Sequence, residues 1–127
     1  MSPVGGVGVD LVEIERVERA WRRYGARFLR RLFTAAEQEY CLARGRPAAS
    51  LAARLAAKEA VLKALGVGLG SCRWSDIEVR TDAAGRPILR LEGAARRRAA
   101  ELGVASWHLS LSHGRDYALA VVVAERG

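Results

Sequence analysis

The longest regular pattern of apolar positions runs from Leu51 to Gly70. Alanine and leucine fill most of this segment, and neither proline nor glycine interrupts it before Gly66. Its leucines recur on one stripe at about 100° per residue, which is the period of an amphipathic helix. We therefore predict a helix that ends in three spaced glycines, Gly66, Gly68 and Gly70.

Periodicity also predicts the other elements. They are a buried strand at 4–12 that ends near Asp10, helices at 13–31 and about 34–43, a hairpin of strands 77–81 and 88–91 around a turn at 82–87, a helix at 93–102, and a second hairpin with strands at 107–112 and 117–125. Thr34 and Glu37 have the spacing of a capping box. The predicted order is a strand, three helices, a hairpin, a helix and a second hairpin. This order predicts an α+β fold in which helices pack on an antiparallel sheet, in a single domain over 1–127.

Composition narrows the class of protein. Half of the 127 residues are apolar and 28% are charged, as in an ordinary globular domain. No apolar run approaches the roughly 20 residues that span a bilayer, and the N-terminal segment lacks the features of a signal peptide. Cys41 and Cys72 are too few for a zinc site or a disulfide framework. We expect two free thiols in a reducing cytoplasm.

The net charge of +7 predicts an acidic partner or a phosphate-rich ligand. Nucleic acid is the commonest such partner, so a small basic nucleic-acid-binding module remains an alternative. One face of the predicted first helix is notably basic: it carries Arg16, Arg19, Arg22, Arg23, Arg27, Arg30 and Arg31. A charge run can be only a solvated face. The scarcity of acids after Glu18 favours a docking surface for something acidic.

The two lysines stand out because the other 19 basic residues are arginines. Lys58 and Lys63 both lie on the central helix, where Arg54 is the only other basic residue. A retained lysine indicates a place where a compact ammonium is needed, and such a point charge suits a phosphate oxygen. The alternative is an ordinary pair of Glu59 and Lys63, with the Lys58 stem lying along apolar surface.

Asp10, Glu59, the two lysines and the glycine run suit a site for phosphate and magnesium. Mg²⁺ takes one or two carboxylates and fills its other positions with water and phosphate oxygens. The glycines follow a helix rather than precede one, so they form neither a P-loop nor a dinucleotide-binding turn. Asp10 can instead be a helix cap. His113, at a strand end, can contact a phosphate, move a proton or be only structural.

Four blocks of the sequence resemble the holo-acyl-carrier-protein synthases, the short bacterial 4′-phosphopantetheinyl transferases. They are GVGVDLVEIERV at 6–17, FTAAEQEYC at 33–41, ARLAAKEAVLKALGVGLG at 53–70 and WHLSLSHGRDYALAVVV at 107–123. The blocks occur in the family's order and cover nearly the whole chain. Leu55 departs from the family, which usually has an aromatic residue there; we expect this to change packing more than chemistry.

The resemblance implies that coenzyme A donates its phosphopantetheine arm to a serine of apo-acyl carrier protein and leaves adenosine 3′,5′-bisphosphate. By the same resemblance, Asp10 and Glu59 bind Mg²⁺, and Lys63, with Lys58, neutralises charge on the phosphate that stays with the nucleotide. Further residues are implied to line the nucleotide side: Arg54, Gly66, Gly68, Gly70, Ser112 and His113. The general base for the serine stays open between a metal-oriented water and one of the two carboxylates.

The resemblance also implies a partner and an assembly. Acyl carrier proteins are small and acidic, which suits the arginine face of the first helix, and Arg16, Arg23 and Arg27 are the predicted docking residues. Members of the family form trimers whose sites are shared between neighbouring subunits. We expect the same of this chain, without nucleic acid or membrane as partners.

Overall fold

A three-stranded antiparallel sheet forms one layer of the protein. A computed structural model describes residues 2–127. The strands are β1 (Val4–Glu13), β4 (Val104–His113) and β5 (Tyr117–Arg126), and β5 lies between the other two. The register places Asp10 opposite Ala120 on one side of β5 and Ser112 opposite Leu119 on the other. β1, with Asp10, and β4, with Ser112 near its end, therefore form the two opposite edges of the sheet.

The central helix α4 (Pro47–Leu65) packs on one face of this sheet. It begins earlier than predicted because Pro47 occupies the first turn, where a missing N–H costs nothing. It ends at Gly66, whose φ of 68° is the left-handed conformation that terminates helices. The prediction of a helix closed by the glycine run is confirmed.

Two glycines of β1 allow the sheet and α4 to approach closely. A Cβ at Gly6 would lie 2.0 Å from the Ala64 carbonyl oxygen, and one at Gly8 would lie 1.8 Å from that of Ala60. Strand residues alternate between faces, so Asp10 points to the same side as both glycines. The tight approach of strand and helix thus brings the carboxylate of Asp10 against α4.

The helical region differs from the prediction at one point. The segment predicted as one helix over 13–31 is two helices, α1 (Ile14–Tyr24) and α2 (Ala26–Leu32). Gly25 separates them with a φ of 58°, which an interior helical residue does not adopt. Four helices therefore precede the first hairpin rather than three.

The remaining elements follow the prediction, apart from one 3₁₀ turn that the sequence did not indicate. They are α3 (Ala35–Leu42), the 3₁₀ turn Trp74–Asp76, the hairpin of β2 (Ile77–Thr81) and β3 (Pro87–Leu91), and α5 (Gly93–Glu101). The capping box of Thr34 and Glu37 forms at the start of α3. The fold is α+β, as predicted.

The other face of the sheet is apolar and open. Val7 and Leu11 on β1 are each 60% exposed, and Leu119 and Val121 on β5 are 40% and 39% exposed. The prediction of a buried strand at 4–12 is therefore wrong for this chain alone, because α4 covers only one face. Within residues 2–127, no helix is both long and apolar enough to span a bilayer.

Candidate active site

Asp10, Glu59 and Lys63 meet where β1 crosses α4. The Lys63 Nζ donates to Asp10 Oδ1 at 3.0 Å and to the Val9 carbonyl oxygen at 2.9 Å. The side chain of Asp10 is only 15% exposed, whereas that of Lys63 is 57% exposed. The lysine is thus held by its acidic partner while its ammonium still faces solvent. The predicted pairing of Lys63 with Glu59 is replaced by pairing with Asp10.

The second carboxylate of this cluster is unusually basic. Burial, together with the neighbouring carboxylate of Asp10, raises the pKa of Glu59 from 4.5 to about 7, against the opposing charges of Arg16 and Lys63. Asp10 Oδ2 is buried and has no hydrogen-bond partner among the described residues. Two close carboxylates cannot both ionise at low cost. A shared proton or a bound cation relieves this arrangement.

The glycine run continues from the end of α4 as an exposed loop. Added Cβ atoms at Gly68 and Gly70 would meet nothing within 4 Å, and the nearest atom to one at Gly66 would be 3.9 Å away. The glycines are therefore not required by packing inside this chain. Arg98 Nε donates to the Leu65 carbonyl oxygen at 3.1 Å, which fixes the start of the loop. The loop offers exposed backbone to a ligand.

A second group of predicted residues lines a separate cavity of about 640 Å³. Arg54, Ser112 and His113 face it, together with Tyr40 of α3, Arg44 in the loop that follows α3, and residues of the β2–β3 turn and β4. Its lining contains several basic side chains and no aspartate or glutamate. This cavity suits an anionic ligand, whose charge its walls can neutralise.

Arg54 is the best-held cation of this cavity. It is 6% exposed, its Nη2 donates to Thr81 Oγ1 at 3.0 Å, and its guanidinium carbon lies 4.2 Å from the centre of the Tyr40 ring. Its Nε is buried and has no hydrogen-bond partner among residues 2–127. A buried donor without an acceptor is costly, so this nitrogen is a candidate contact for a ligand oxygen.

Neither Asp10, Glu59 nor Lys63 lines this cavity. On α4, Glu59 follows Arg54 by about 7.5 Å along the axis and about 140° around it. One chain therefore presents the carboxylate cluster and the basic cavity on different sides of the same helix.

The structure contradicts the predicted role of Lys58 as a ligand-binding residue. The side chains of Lys58 and Glu37 are both 0% exposed, and Nζ lies 2.8 Å from Glu37 Oε1. The same ammonium donates to the carbonyl oxygens of Trp74 and Ile77. Burial lowers the pKa of Lys58, and the charge of Glu37 and its hydrogen bond oppose that shift. All three donors are used inside the core, so Lys58 is not available to a ligand.

Arg46 is a site residue that the sequence did not indicate. Its Nη1 and Nη2 donate to the Gly114 and Arg115 carbonyl oxygens, both at 2.8 Å. These carbonyls belong to the β4–β5 turn that directly follows His113. Arg46 therefore fixes this turn to the start of α4, on the border of the basic cavity. The planar guanidinium reaches the two carbonyls with two separate nitrogens, but one arginine among 19 gave no signal of this role in the sequence.

The predicted docking arginines lie exposed on α1 and α2. Arg19 and Arg22 on the same helices lie within 4 Å of glutamates of their own chain. Within the described part of the chain, Arg16, Arg23 and Arg27 form no such ion pair. The predicted docking residues are therefore among the arginines of α1 and α2 that form no ion pair within the described part of the chain.

Comparison with known proteins identifies the family. Residues 6–122 match the model of the 4′-phosphopantetheinyl transferase superfamily. The chain belongs to this superfamily. It is 56% identical over 118 residues to the holo-[acyl-carrier-protein] synthase of Moorella thermoacetica, covering 93% of this chain and 91% of the relative.

Solved structures of holo-[acyl-carrier-protein] synthases have the same fold. The enzyme of Neisseria meningitidis superposes with a TM-score of 0.87 at 35% identity, covering 97% of this chain and 99% of that one. The enzyme of Helicobacter pylori, solved in complex with coenzyme A, gives a TM-score of 0.83 at 31% identity and covers 94% and 99% of the two chains. This transferase superfamily thus accounts for the whole α+β domain.

Proposed function

We propose that this transferase moves the 4′-phosphopantetheine group of coenzyme A to a serine of an apo-acyl carrier protein, with Mg²⁺, and releases adenosine 3′,5′-bisphosphate. The observation that carries this proposal is the cluster of Asp10, Glu59 and Lys63, with its unsatisfied Asp10 oxygen. The complex of the Helicobacter pylori relative with coenzyme A supports the choice of donor. Fatty-acid biosynthesis in the cytoplasm is the setting we propose.

The residues present fit a magnesium ion. Asp10 and Glu59 would hold it, because Mg²⁺ binds through one or two carboxylates and keeps water and phosphate oxygens as its other ligands. The unpartnered Asp10 Oδ2 and the raised pKa of Glu59 both indicate a pair of acids that Lys63 alone does not fully neutralise. When bound, the ion supplies positive charge to phosphate oxygens and polarises them.

The protein's own side chains position the substrates and supply positive charge to the phosphates. Lys63, held by Asp10 and open to solvent, faces the phosphate that remains with the nucleotide and stabilises its developing charge. One of the two carboxylates accepts the proton of the incoming serine hydroxyl. Arg54, Ser112 and His113 bind the nucleotide, and Gly66, Gly68 and Gly70 let backbone approach the donor.

We propose that the active unit is a homotrimer with sites between subunits. The open face of the sheet supports this, because a row of half-exposed valines and leucines on β1 and β5 favours burial against another subunit. The separation of the two groups of site residues supports it as well. A neighbour's basic cavity, placed beside the carboxylate cluster, completes a site that neither chain forms alone.

The acidic carrier protein docks through Arg16, Arg23 and Arg27. These arginines project from α1 and α2 without internal partners, so their charges are available to carboxylates of the carrier protein. Exposed charges of this kind steer association more than they strengthen the final complex.

Intact-mass spectrometry of an apo-acyl carrier protein tests the proposal. After incubation with this protein, coenzyme A and Mg²⁺, we expect a gain of about 340 Da, the mass of the phosphopantetheine group. EDTA and the Glu59→Gln variant should abolish the gain, whereas Arg90→Ala, on the distant strand β3, should not. No gain with any of several carrier proteins, together with salt-sensitive binding to nucleic acid, would instead favour the nucleic-acid-binding alternative.

A further inference from the structure

Lys63 joins the carboxylate cluster through contacts with β1 rather than with its own helix. Its Nζ donates to Asp10 Oδ1 at 3.0 Å and to the Val9 carbonyl oxygen at 2.9 Å. Two acceptors on adjacent residues of one strand fix the ammonium better than one exposed ion pair, which contributes little by itself. Lys63 is therefore a counter-charge that the fold itself places beside Asp10.

The crossing of β1 and α4 holds the carboxylate more firmly than the lysine. A Cβ at Gly8 would lie 1.8 Å from the Ala60 carbonyl oxygen, so the two backbones are in contact about one helical turn before Lys63. The side chain of Asp10 is 15% exposed and that of Lys63 is 57% exposed. The lysine can turn outward to another acceptor, whereas Asp10 stays where the strand places it.

The two oxygens of Asp10 have different surroundings. Oδ1 accepts the hydrogen bond from Lys63, whereas Oδ2 is buried and has no hydrogen-bond partner among the described residues. The carboxylate of Glu59 adjoins Asp10 closely enough to raise its own pKa. A metal ion held by Asp10 and Glu59 therefore shares the Asp10 carboxylate with Lys63.

Two cations that share one carboxylate repel each other. A divalent and a monovalent ion about 6 Å apart weaken each other's binding roughly tenfold, even at the dielectric constant of water. Salt screens this repulsion only in part, because the Debye length is about 8 Å at physiological ionic strength. Lys63 thus opposes metal binding by the protein alone.

The donor substrate reverses this opposition. Its phosphates bring negative charge to the cluster, and their oxygens are acceptors that a lysine ammonium binds well. Because the Lys63 side chain is largely exposed, it can exchange Asp10 for a phosphate oxygen without disturbing the core. Asp10 is then released from one of its two cations.

We infer that Lys63 weakens Mg²⁺ binding to the free protein and couples that binding to the arrival of coenzyme A. The inference rests on the proposed function, and it gives Lys63 a second task besides stabilising charge on the nucleotide phosphate. Mg²⁺ and coenzyme A then bind with positive cooperativity. By linkage, each raises the affinity of the protein for the other by the same factor.

Calorimetric titration of the assembled protein with Mg²⁺, without carrier protein, tests the inference. At pH 8.5, above the pKa of about 7 of Glu59, protons compete little with the metal. Lys63→Met should bind Mg²⁺ about tenfold more tightly than wild type, because methionine keeps the length of the stem and removes the repelling charge. Lys63→Arg keeps the charge and should stay within about threefold of wild type.

A second titration, in saturating coenzyme A, measures the coupling itself. Coenzyme A should raise the Mg²⁺ affinity of the wild type by a factor about ten times larger than that for Lys63→Met, after correction for Mg²⁺ bound by free coenzyme A. Arg90→Ala is the matched control for loss of a basic side chain, because Arg90 is exposed on β3 and lies 3.3 Å from Glu92. Glu59→Gln should abolish the heat of binding, which ties the signal to this site.

Mg²⁺ binding by Lys63→Met that equals or falls below that of the wild type overturns the inference. An equal effect of coenzyme A on the wild type and on Lys63→Met overturns it too. In both cases Mg²⁺ binding by the wild type leaves the proposed function standing. Absence of Mg²⁺ binding from both proteins, with and without coenzyme A, contradicts the metal site of the proposed function itself.

Discussion

Replacing Lys58 by methionine should destabilise the protein strongly while leaving the ligand-contacting residues in place. Methionine has a similar length but no charge, so it fills the space of the lysine stem. The change leaves Glu37, which is 1% exposed, buried without its cation. The carbonyl oxygens of Trp74 and Ile77 lose the same donor.

The size of the effect follows from these contacts. Removing one partner of a buried ion pair costs about 3–5 kcal/mol, because the remaining charge is left uncompensated. Each orphaned carbonyl adds about 1 kcal/mol. Glu37 keeps two backbone donors, the N–H groups of Thr34 and Val79, which places the cost of the broken ion pair near its lower end and the total expected loss at about 5 kcal/mol. That is a large share of the roughly 5–15 kcal/mol that stabilises a domain.

Urea unfolding at one fixed subunit concentration measures this loss, since oligomers unfold in a concentration-dependent way. The double variant Lys58→Met/Glu37→Gln is the matched control and should recover about 1–3 kcal/mol, because it removes the buried charge along with its partner. Lys58→Arg should also destabilise, because the fully buried site has no room for a guanidinium. A Lys58→Met protein as stable as wild type that fails to bind coenzyme A would refute the core assignment and restore Lys58 to the ligand site.

Three other predictions concern the site. Gly8→Ala should destabilise by about 1–3 kcal/mol and weaken Mg²⁺ binding, because its Cβ would lie 1.8 Å from the Ala60 carbonyl oxygen and force β1 away from α4; urea unfolding and metal titration measure both effects. In metal-free buffer the wild type should lose stability as pH rises from 4.5 to 7, because Glu59 keeps its proton longer in the folded state; Glu59→Gln should remove this dependence, and an unchanged pH profile in that variant would contradict the pKa assignment. Arg46→Lys should raise KM for coenzyme A several-fold with little change in KM for the carrier protein, because lysine lacks the two rigidly spaced nitrogens with which Arg46 holds the carbonyls of the turn at 114–115; equal effects on both substrates would contradict a positioning role.

Periodicity and capping patterns predicted most of the fold because they report local backbone preference. The capping box at Thr34 and the glycine end of α4 are local signals, and both are confirmed. Gly25 lay inside a strong helical pattern of apolar positions, and that pattern hid the break between α1 and α2. The valines of β1 were predicted to be buried because the sequence does not show that α4 covers only one face of this strand.

The site was predictable in its residue types and less so in its contacts. The scarcity of lysine indicated places that need a compact ammonium, and the structure shows one such place at each lysine. At Lys63 the acceptors are Asp10 and the Val9 carbonyl oxygen, and the ammonium lies at the protein surface. At Lys58 they are a buried carboxylate and two carbonyls, because helix periodicity did not reveal that α3 covers that side of α4.

The distribution of the site over two subunits is the claim on which the account depends most. Glu59→Gln removes the carboxylate side of a site, and Arg54→Gln/His113→Ala removes the basic cavity. In a cyclic trimer that contains both kinds of subunit, one of the three interfaces unites an intact cluster with an intact cavity.

Co-expression of the two variants with different tags, followed by purification on both tags, isolates such mixed trimers. Their rate of phosphopantetheine transfer, measured by intact mass of the carrier protein, is the decisive measurement. We predict about one third of the wild-type rate, although each variant alone is inactive. Mixed trimers as inactive as the separate variants would contradict a shared site and place the complete site within one chain.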